Sequence, residues 1–289
     1  MNLLEQINYS TFFRDTKGFL LSLLDLYIKG SIHVSLAVTA FSYITVTLYQ
    51  LHVPGALYLF IFTATVLSYN FTKYLVLFEK KRVLIRGKLK SIVGITVFAL
   101  AGMVISLFLL DIKVLLFSLL PGLLTVAYAL PVFHNSTSLR QIFGIKLLII
   151  AAVWALVTVG LPYVAHYGAS QNSLMIVTEG IQRLLFVMVL TLPFEIRDVE
   201  EDCRRLGTIP QIFGIKKTKL IGSGILLSVI VIEIFQSPGF TLSFLFFLLI
   251  VCVAGVLVWK SMVAQSKYFA SFWVEGVPVV WAALLFVAL

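Results

Sequence analysis

Residues 174–202 read LMIVTEGIQRLLFVMVLTLPFEIRDVEED, an apolar run that passes directly into an acidic segment. The apolar part has roughly the 20 residues that a helix needs to cross a bilayer. Glu195, Asp198 and Asp202 follow at spacings of three and four residues, which predicts that they share one face of a continuing helix. The stretch therefore predicts a membrane-spanning helix with an acidic end.

The rest of the chain has the composition of a membrane protein. Of its 289 residues, 60% are hydrophobic, and the mean hydropathy is +1.04, well above that of soluble domains. Because backbone polar groups in lipid must be satisfied within each span, the expected fold class is all-α, a polytopic membrane protein. One transmembrane helical domain is expected over 1–289, with 1–30 as a cytosolic or interfacial N-terminal segment. Nine candidate spans are predicted at 32–51, 55–78, 92–110, 114–130, 145–165, 174–194, 220–235, 240–259 and 269–289.

The positive charges are distributed unevenly between the predicted loops. The formal net charge is +9, and all of the 22 lysines and arginines except Lys73, Lys113 and Arg183 fall on one side of the predicted spans. By the positive-inside rule, this side faces the cytosol, together with the N-terminus and the acidic segment. The asymmetry accounts for the net charge without a nucleic-acid partner, and membrane lipids are the expected surroundings. The expected location is a bacterial inner (plasma) membrane, with the chain as a multi-pass integral protein.

The acidic segment is the strongest candidate for a metal site. Carboxylate oxygens are ligands that Mg²⁺ prefers, commonly together with substrate phosphates. Glu195, Asp198 and Asp202 are therefore the candidate metal ligands, and their position at a membrane boundary favours Mg²⁺ that bridges a diphosphate.

One hexapeptide occurs twice: QIFGIK at 141–146 recurs at 211–216. Each copy leads from a predicted cytosolic loop into a span. The favoured interpretation is a loop-to-helix entry in which the glycine allows a turn. The alternative is a helix start whose amides face a phosphate.

The segment 183–219 resembles the UbiA-type intramembrane prenyltransferase superfamily. The motifs that carry the resemblance are PFEIRD at 193–198, ED at 201–202, GTIP at 207–210, Gly214, and KK at 216–217. A second similar stretch contains YALP at 128–131, LRQIFG at 139–144, and Trp154. The resemblance implies a UbiA-like bundle of about nine helices. It also implies transfer of a prenyl group from a prenyl diphosphate to a small aromatic or lipid acceptor.

The resemblance further implies a set of site residues. Members of the superfamily generally carry two motifs of the form Asn-Asp-x-x-Asp-x-x-x-Asp, which hold Mg²⁺ against the diphosphate. The second motif maps onto Phe194, Glu195, Asp198 and Asp202, so the three carboxylates are expected to bind metal and the two aspartates to be catalytic. The expected substrate-binding residues are Asn70, Arg82, Arg140, Arg197 and Tyr128.

The first motif departs from the pattern of the superfamily. Asn70 matches, but the three aspartate positions hold Phe71, Tyr74 and Phe78. A lysine supplies part of the positive charge that a metal gives to a leaving diphosphate. Lys73 lies on roughly the same helical face as Asn70, so it is expected to be catalytic. The alternative is that Lys73 snorkels to the membrane boundary.

Three functions are compatible with this sequence. The first is a magnesium-dependent prenyl (alkyl or aryl) transferase. The lost aspartates leave open a non-catalytic descendant that binds an isoprenoid or another lipid. The nine spans leave open a membrane transporter, although no span has the paired Gly/Pro interruptions of many transporters.

Overall fold

The computed structural model describes residues 20–79, 88–130, 144–168, 174–202, 206–236, 239 and 241–288. Within these ranges the regular secondary structure is entirely helical. The helices are α1 (Leu20–Lys29), α2 (Ile32–Leu48), α3 (Gly55–Glu79), α4 (Lys88–Leu109), α5 (Ile112–Ala129), α6 (Ile145–Ala155), α7 (Leu161–Tyr167), α8 (Leu174–Arg197), α9 (Ile209–Phe213), α10 (Ile215–Gln236), α11 (Leu242–Lys260) and α12 (Val277–Ala288). A π-helical turn, Leu156–Gly160, joins α6 to α7, and another, Phe269–Val274, precedes α12.

The number of spans agrees with the expectation from hydropathy. Eight helices of the described chain are long and apolar enough to cross a membrane, with α6 and α7 forming one of them. The count reaches nine when α1 and α2, which meet at an angle of 60°, are taken as one broken span. The all-α fold class is therefore confirmed, because the apolar runs fold into continuous helices whose backbone groups pair internally.

The break between α1 and α2 is held by specific contacts. The Gly30 amide donates to the Leu26 carbonyl oxygen at 2.7 Å. Ser31 has the left-handed conformation, with φ of 63°, which is uncommon for a residue with a Cβ atom. This conformation ends α1 and directs the Ser31 hydroxyl to Asn70 Oδ1 at 2.8 Å, so the bend is fastened to α3.

Two helices, α2 and α8, form the centre of the bundle. Helix α2 packs on α3, α12 and the turn Leu156–Gly160, and α8 packs on α6, α10 and α11. Phe41 of α2 is fully buried and makes edge-to-face contacts with Trp154, Phe186 and Trp281, with ring centroids 6.0–6.3 Å apart. By contrast, α4 exposes large apolar side chains such as Phe98 and Phe108, as a helix does when it faces lipid.

Gly276 connects the second π-helical turn to α12, where the backbone leaves no room for a side chain. A Cβ atom at this position would lie 2.7 Å from the Phe272 carbonyl oxygen. We expect Gly276→Ala to destabilise the folded protein by about 1–3 kcal/mol, as overpacking typically does. The measurement is thermal unfolding in detergent, with Gly224→Ala as the control because a Cβ atom there meets nothing within 4 Å. Equal stability of the two variants would contradict the close packing at Gly276.

Candidate functional site

The acidic segment does not continue α8 as one helical face. Helix α8 ends at Arg197, and the chain then turns, with the Asp202 amide donating to the Asp198 carbonyl oxygen at 2.8 Å. The expectation of a continuing helix is therefore wrong beyond Arg197, although Glu195 and Asp202 still lie on the same side, next to Lys146. Asp198 pairs with its neighbour instead: Arg197 Nε and Nη2 donate to its two carboxylate oxygens at 2.6 and 3.0 Å.

The other two carboxylates lie next to a lysine from a different helix. Lys146, the second residue of α6, places its Nζ 2.7 Å from Asp202 Oδ2 and 4.0 Å from Glu195 Oε1. The Glu195 side chain is 5% exposed, and those of Lys146 and Asp202 are each 15% exposed. Since water is largely excluded from these groups, the attraction between the charges is stronger than at an open surface.

A cavity of about 60 Å³ adjoins this lysine. Its lining includes Lys146, Glu195 and Thr208 together with Gly144 and Gly207. Thr208 forms a capping box with Gln211 at the start of α9, whereas Glu195 Oε2 is buried and has no hydrogen-bond partner among the residues that the structure describes. The cavity thus has one unpaired carboxylate oxygen at its polar side.

The two copies of the hexapeptide position this region. Gly144 and Gly214 both have left-handed φ angles, 72° and 78°, and each immediately precedes a helix, α6 or α10. The interpretation as loop-to-helix entries is confirmed for these glycines. The Gly144 amide donates to the Leu206 carbonyl oxygen at 3.0 Å, and Gln211 Nε2 donates to the Asp202 carbonyl oxygen at 2.9 Å. The start of α6 is therefore joined to the acidic turn and α9.

The described carboxylates do not fit a magnesium ion held by three protein ligands. Among the residues that the structure describes, no group of three His, Cys, Asp or Glu side chains could hold a metal ion. Lys146 takes the place of a cation next to Glu195 and Asp202, and Arg197 occupies both oxygens of Asp198. The geometry therefore gives no support to the predicted metal set.

A second polar group, the interior polar cluster, is formed by Tyr69, Lys73, Trp154, Arg197 and Glu275. Trp154 Nε1 donates to the Tyr69 hydroxyl at 2.9 Å, and the Lys73 ammonium lies 5.7 Å from the centre of the Tyr69 ring. The Glu275 carboxylate lies within electrostatic range of both Lys73 and Arg197, and also of Tyr69. Side chains from α3, α6, α8 and the segment before α12 therefore converge on one part of the interior.

Several members of the cluster retain accessible surface although protein surrounds them. Tyr69, Arg197 and Glu275 are half-buried, and Lys73 is exposed. Tyr128 of α5, a predicted substrate-binding residue, is also half-buried and lies within electrostatic range of Tyr69. Lys73 is therefore at the accessible edge of the cluster, and the other side chains lie farther inside.

Asn70 has a different position from Lys73. It is 3% exposed, and its amide is fully engaged by the protein: Nδ2 donates to Thr96 Oγ1 at 2.9 Å and to the Gly30 carbonyl oxygen at 3.3 Å. Its Oδ1 accepts from the Ser31 hydroxyl, which in turn accepts from Lys73 Nζ at 3.0 Å. Asn70 therefore holds the serine that orients the lysine.

The structure brings together five of the predicted site residues at the interior polar cluster or beside it: Lys73, Asn70, Arg197, Asp198 and Tyr128. The predicted residues Arg82 and Arg140 lie outside the described residues. Lys146 and Glu275 were not predicted. The signal for Lys146 was the repeated hexapeptide, which ends at this lysine. The signal for Glu275 was its position as a lone carboxylate within a span.

A separate polar network lies at the opposite end of α8. Arg183 is 2% exposed and donates to Glu179 Oε1 at 2.6 Å, to the Phe41 carbonyl oxygen at 3.0 Å and to Thr45 Oγ1 at 3.2 Å. The Tyr49 hydroxyl donates to Glu179 Oε2 at 3.0 Å. The network joins α2 to α8 in the interior.

The fold is similar to that of a solved structure, the apo structure of a UbiA homolog from Aeropyrum pernix K1. The TM-score is 0.62, and the match covers 89% of this chain and 98% of that chain at 18% sequence identity. No protein-family model matches the chain, and no curated protein does either.

The chain is a multi-pass, all-helical membrane protein. Its bundle has the UbiA-like fold that the motifs of 183–219 predicted.

Proposed function

We propose that this protein binds a prenyl diphosphate at the interior polar cluster and transfers the prenyl group to an acceptor bound in the bundle. The observation that carries the proposal is the position of the Lys73 ammonium, which donates to the Ser31 hydroxyl at 3.0 Å and lies 5.7 Å from the centre of the Tyr69 ring, whose hydroxyl accepts from Trp154. A second cation, Arg197, comes from a helix that is distant in sequence. The UbiA-like fold and the motifs of 183–219 support the substrate class.

The two cations suit a diphosphate in different ways. The Lys73 ammonium offers three donors on a flexible stem, and it already has accessible surface. Arg197 Nε and Nη2 bind Asp198, and the remaining N–H groups of Nη1 and Nη2 form a second planar pair of donors that suits phosphate oxygens. Asn70 acts as a positioning residue, because it holds Ser31 against the Lys73 ammonium.

The proposed reaction needs positive charge at the leaving group and a base near the acceptor. The bond between the prenyl C1 atom and the diphosphate oxygen breaks, and its electron pair leaves with the diphosphate, whose charge Lys73 and Arg197 stabilise. A nucleophilic atom of the acceptor bonds to C1, and its proton passes to the Glu275 carboxylate. The rings of Tyr69 and Trp154 border the region and suit a transient allylic cation.

The donor site is tested by binding of farnesyl diphosphate to the purified protein in nanodiscs. We expect Lys73→Met to weaken binding by about 10- to 100-fold, since a hydrogen bond to a charged group contributes about 1.5–3 kcal/mol. Lys260→Met is the matched control, because Lys260 is an exposed lysine at the end of α11. Farnesol, which has no phosphate, should bind equally to wild type and Lys73→Met. Unchanged affinity for farnesyl diphosphate in Lys73→Met would remove the support for this donor site.

A second candidate function is binding of an isoprenoid diphosphate without transfer. It is favoured by the first motif, where Phe71, Tyr74 and Phe78 stand in place of carboxylates. Radiolabelled donors of different chain length, tested against a panel of aromatic and lipid acceptors, distinguish the two. Lys73-dependent binding with no labelled product from any pair would favour the second candidate.

A further inference from the structure

We propose that Lys146 is a built-in counter-cation that closes the acidic segment to divalent metal ions. In this arrangement, its ammonium group takes the place that a metal would take between Glu195 and Asp202. The inference deepens the proposed function, because it makes recognition of the diphosphate by Lys73 and Arg197 independent of a metal at the acidic segment.

The distances place the lysine charge where a bound metal ion would lie. Its Nζ is 2.7 Å from Asp202 Oδ2, a direct ion pair, and 4.0 Å from Glu195 Oε1. A divalent ion bound to the same oxygens would lie within a few ångströms of the ammonium group, in surroundings where the charges are only weakly screened. Binding of the metal would thus require displacement of the Lys146 side chain from a largely buried site.

The third carboxylate of the segment is unavailable for a different reason. Asp198 accepts from Arg197 Nε and Nη2 at 2.6 and 3.0 Å, so each of its carboxylate oxygens is already bonded to a cation. A lone carboxylate oxygen, Glu195 Oε2, is left without a partner in the adjoining cavity. One free oxygen beside an ammonium group is a poor divalent site, although it suits a water molecule or a hydroxyl group.

The backbone around Lys146 is fixed by the fold. The left-handed Gly144 starts α6 two residues earlier, and its amide is bonded to the Leu206 carbonyl oxygen at 3.0 Å. On the other side, Gln211 donates to the carbonyl oxygen of Asp202 and accepts from the Thr208 amide at 3.1 Å. The lysine and its acidic partners are therefore carried by two segments that are fastened to each other. A mobile surface lysine would lack these constraints.

The sequence supplies a matched control for this lysine. Lys216 ends the second copy of the hexapeptide, as Lys146 ends the first. It has the same local sequence and also follows a left-handed glycine into a helix, but its side chain is exposed. A substitution at Lys216 removes the same charge from an equivalent helix start and leaves the acidic segment intact.

The test is Mn²⁺ binding to the purified full chain in nanodiscs, measured by electron paramagnetic resonance without any prenyl ligand. For wild type and Lys216→Met we expect no saturable site. For Lys146→Met we expect one saturable site, with at least 10-fold more Mn²⁺ bound than in wild type at the same low free concentration, and we expect this site to be lost in Lys146→Met/Glu195→Gln. Lys146→Gln serves as a second variant if Lys146→Met does not fold.

Either of two results would overturn the inference. One is a saturable Mn²⁺ site in wild type that disappears in Glu195→Gln or Asp202→Asn, a measurement that needs no lysine variant. The other is a folded Lys146 variant without a new site. Because these measurements use the metal alone, they are independent of the proposed function. Failure of farnesyl diphosphate to bind, with the expected Mn²⁺ pattern, would overturn only the proposed function.

Discussion

Replacing Arg183 with methionine is expected to destabilise the folded protein by about 3–5 kcal/mol, the range typical of removing one partner from a buried ion pair. The guanidinium group is bonded to Glu179, to the Phe41 carbonyl oxygen and to Thr45, and it lies 4.4 Å from the centre of the Phe41 ring. Methionine fills much of the space but leaves the Glu179 carboxylate buried without a cation. The free energy of unfolding in mixed detergent micelles measures the effect.

Two further variants separate loss of charge pairing from loss of packing at Arg183. Arg183→Met/Glu179→Gln removes both charges, so we expect it to be more stable than Arg183→Met alone by at least about 1 kcal/mol, as coupled neighbours usually are. Lys217→Met changes an exposed lysine and should alter stability by less than about 0.5 kcal/mol. If the free energy of unfolding of Arg183→Met lies within about 1 kcal/mol of the wild-type value, the network does not stabilise the packing of α2 on α8, contrary to what its geometry indicates.

The features that sequence could predict are those determined by nearby residues. The positions of the spans follow from hydropathy, since each apolar run forms its own hydrogen bonds whatever its neighbours are. Glu179 and Arg183 stand four residues apart, and this spacing predicts that they pair along one helix. The structure confirms the pair at 2.6 Å. The helix α8 likewise covers the whole of the predicted span 174–194.

The end of α8 could not be predicted in the same way. The spacing of Glu195, Asp198 and Asp202 suits a continuing helix, but the chain turns after Arg197. The turn is held from outside, because Gln211 bonds to the backbone of Asp202 and a lysine from α6 bonds to its side chain. Tertiary contacts therefore determine which way each carboxylate points.

The pairings that define the site are long-range, and this is the physical reason that spacing does not reveal them. Lys146 and Asp202 are 56 positions apart, and Trp154 and Tyr69 are 85 apart. Lys73 was predicted from chemistry, because without the first-motif aspartates no metal is held there to supply positive charge. The structure places its ammonium 5.7 Å from the centre of the Tyr69 ring, and its catalytic role stays a prediction.

Glu275 provides the sharpest test of transfer chemistry. In the proposed reaction its carboxylate accepts the proton of the acceptor, and general base catalysis typically contributes about 10²- to 10⁴-fold to a rate. The same carboxylate also competes with the diphosphate for Lys73 and Arg197, because its negative charge acts on both cations. The two roles have opposite consequences when the charge is removed.

We therefore expect Glu275→Gln to bind farnesyl diphosphate at least as tightly as wild type and to transfer the prenyl group at least 100-fold more slowly. Glutamine keeps the size and the hydrogen-bonding capacity of the side chain, so loss of packing does not account for such a split. Donor affinity from equilibrium binding and single-turnover rates with a radiolabelled donor measure the two effects separately, and Glu200→Gln is the control at an exposed carboxylate outside the cluster. If affinity and rate fall together, Glu275 positions Lys73 and Arg197 and does not act as the base. If the rate is unchanged, Glu275 has no role in the transfer step.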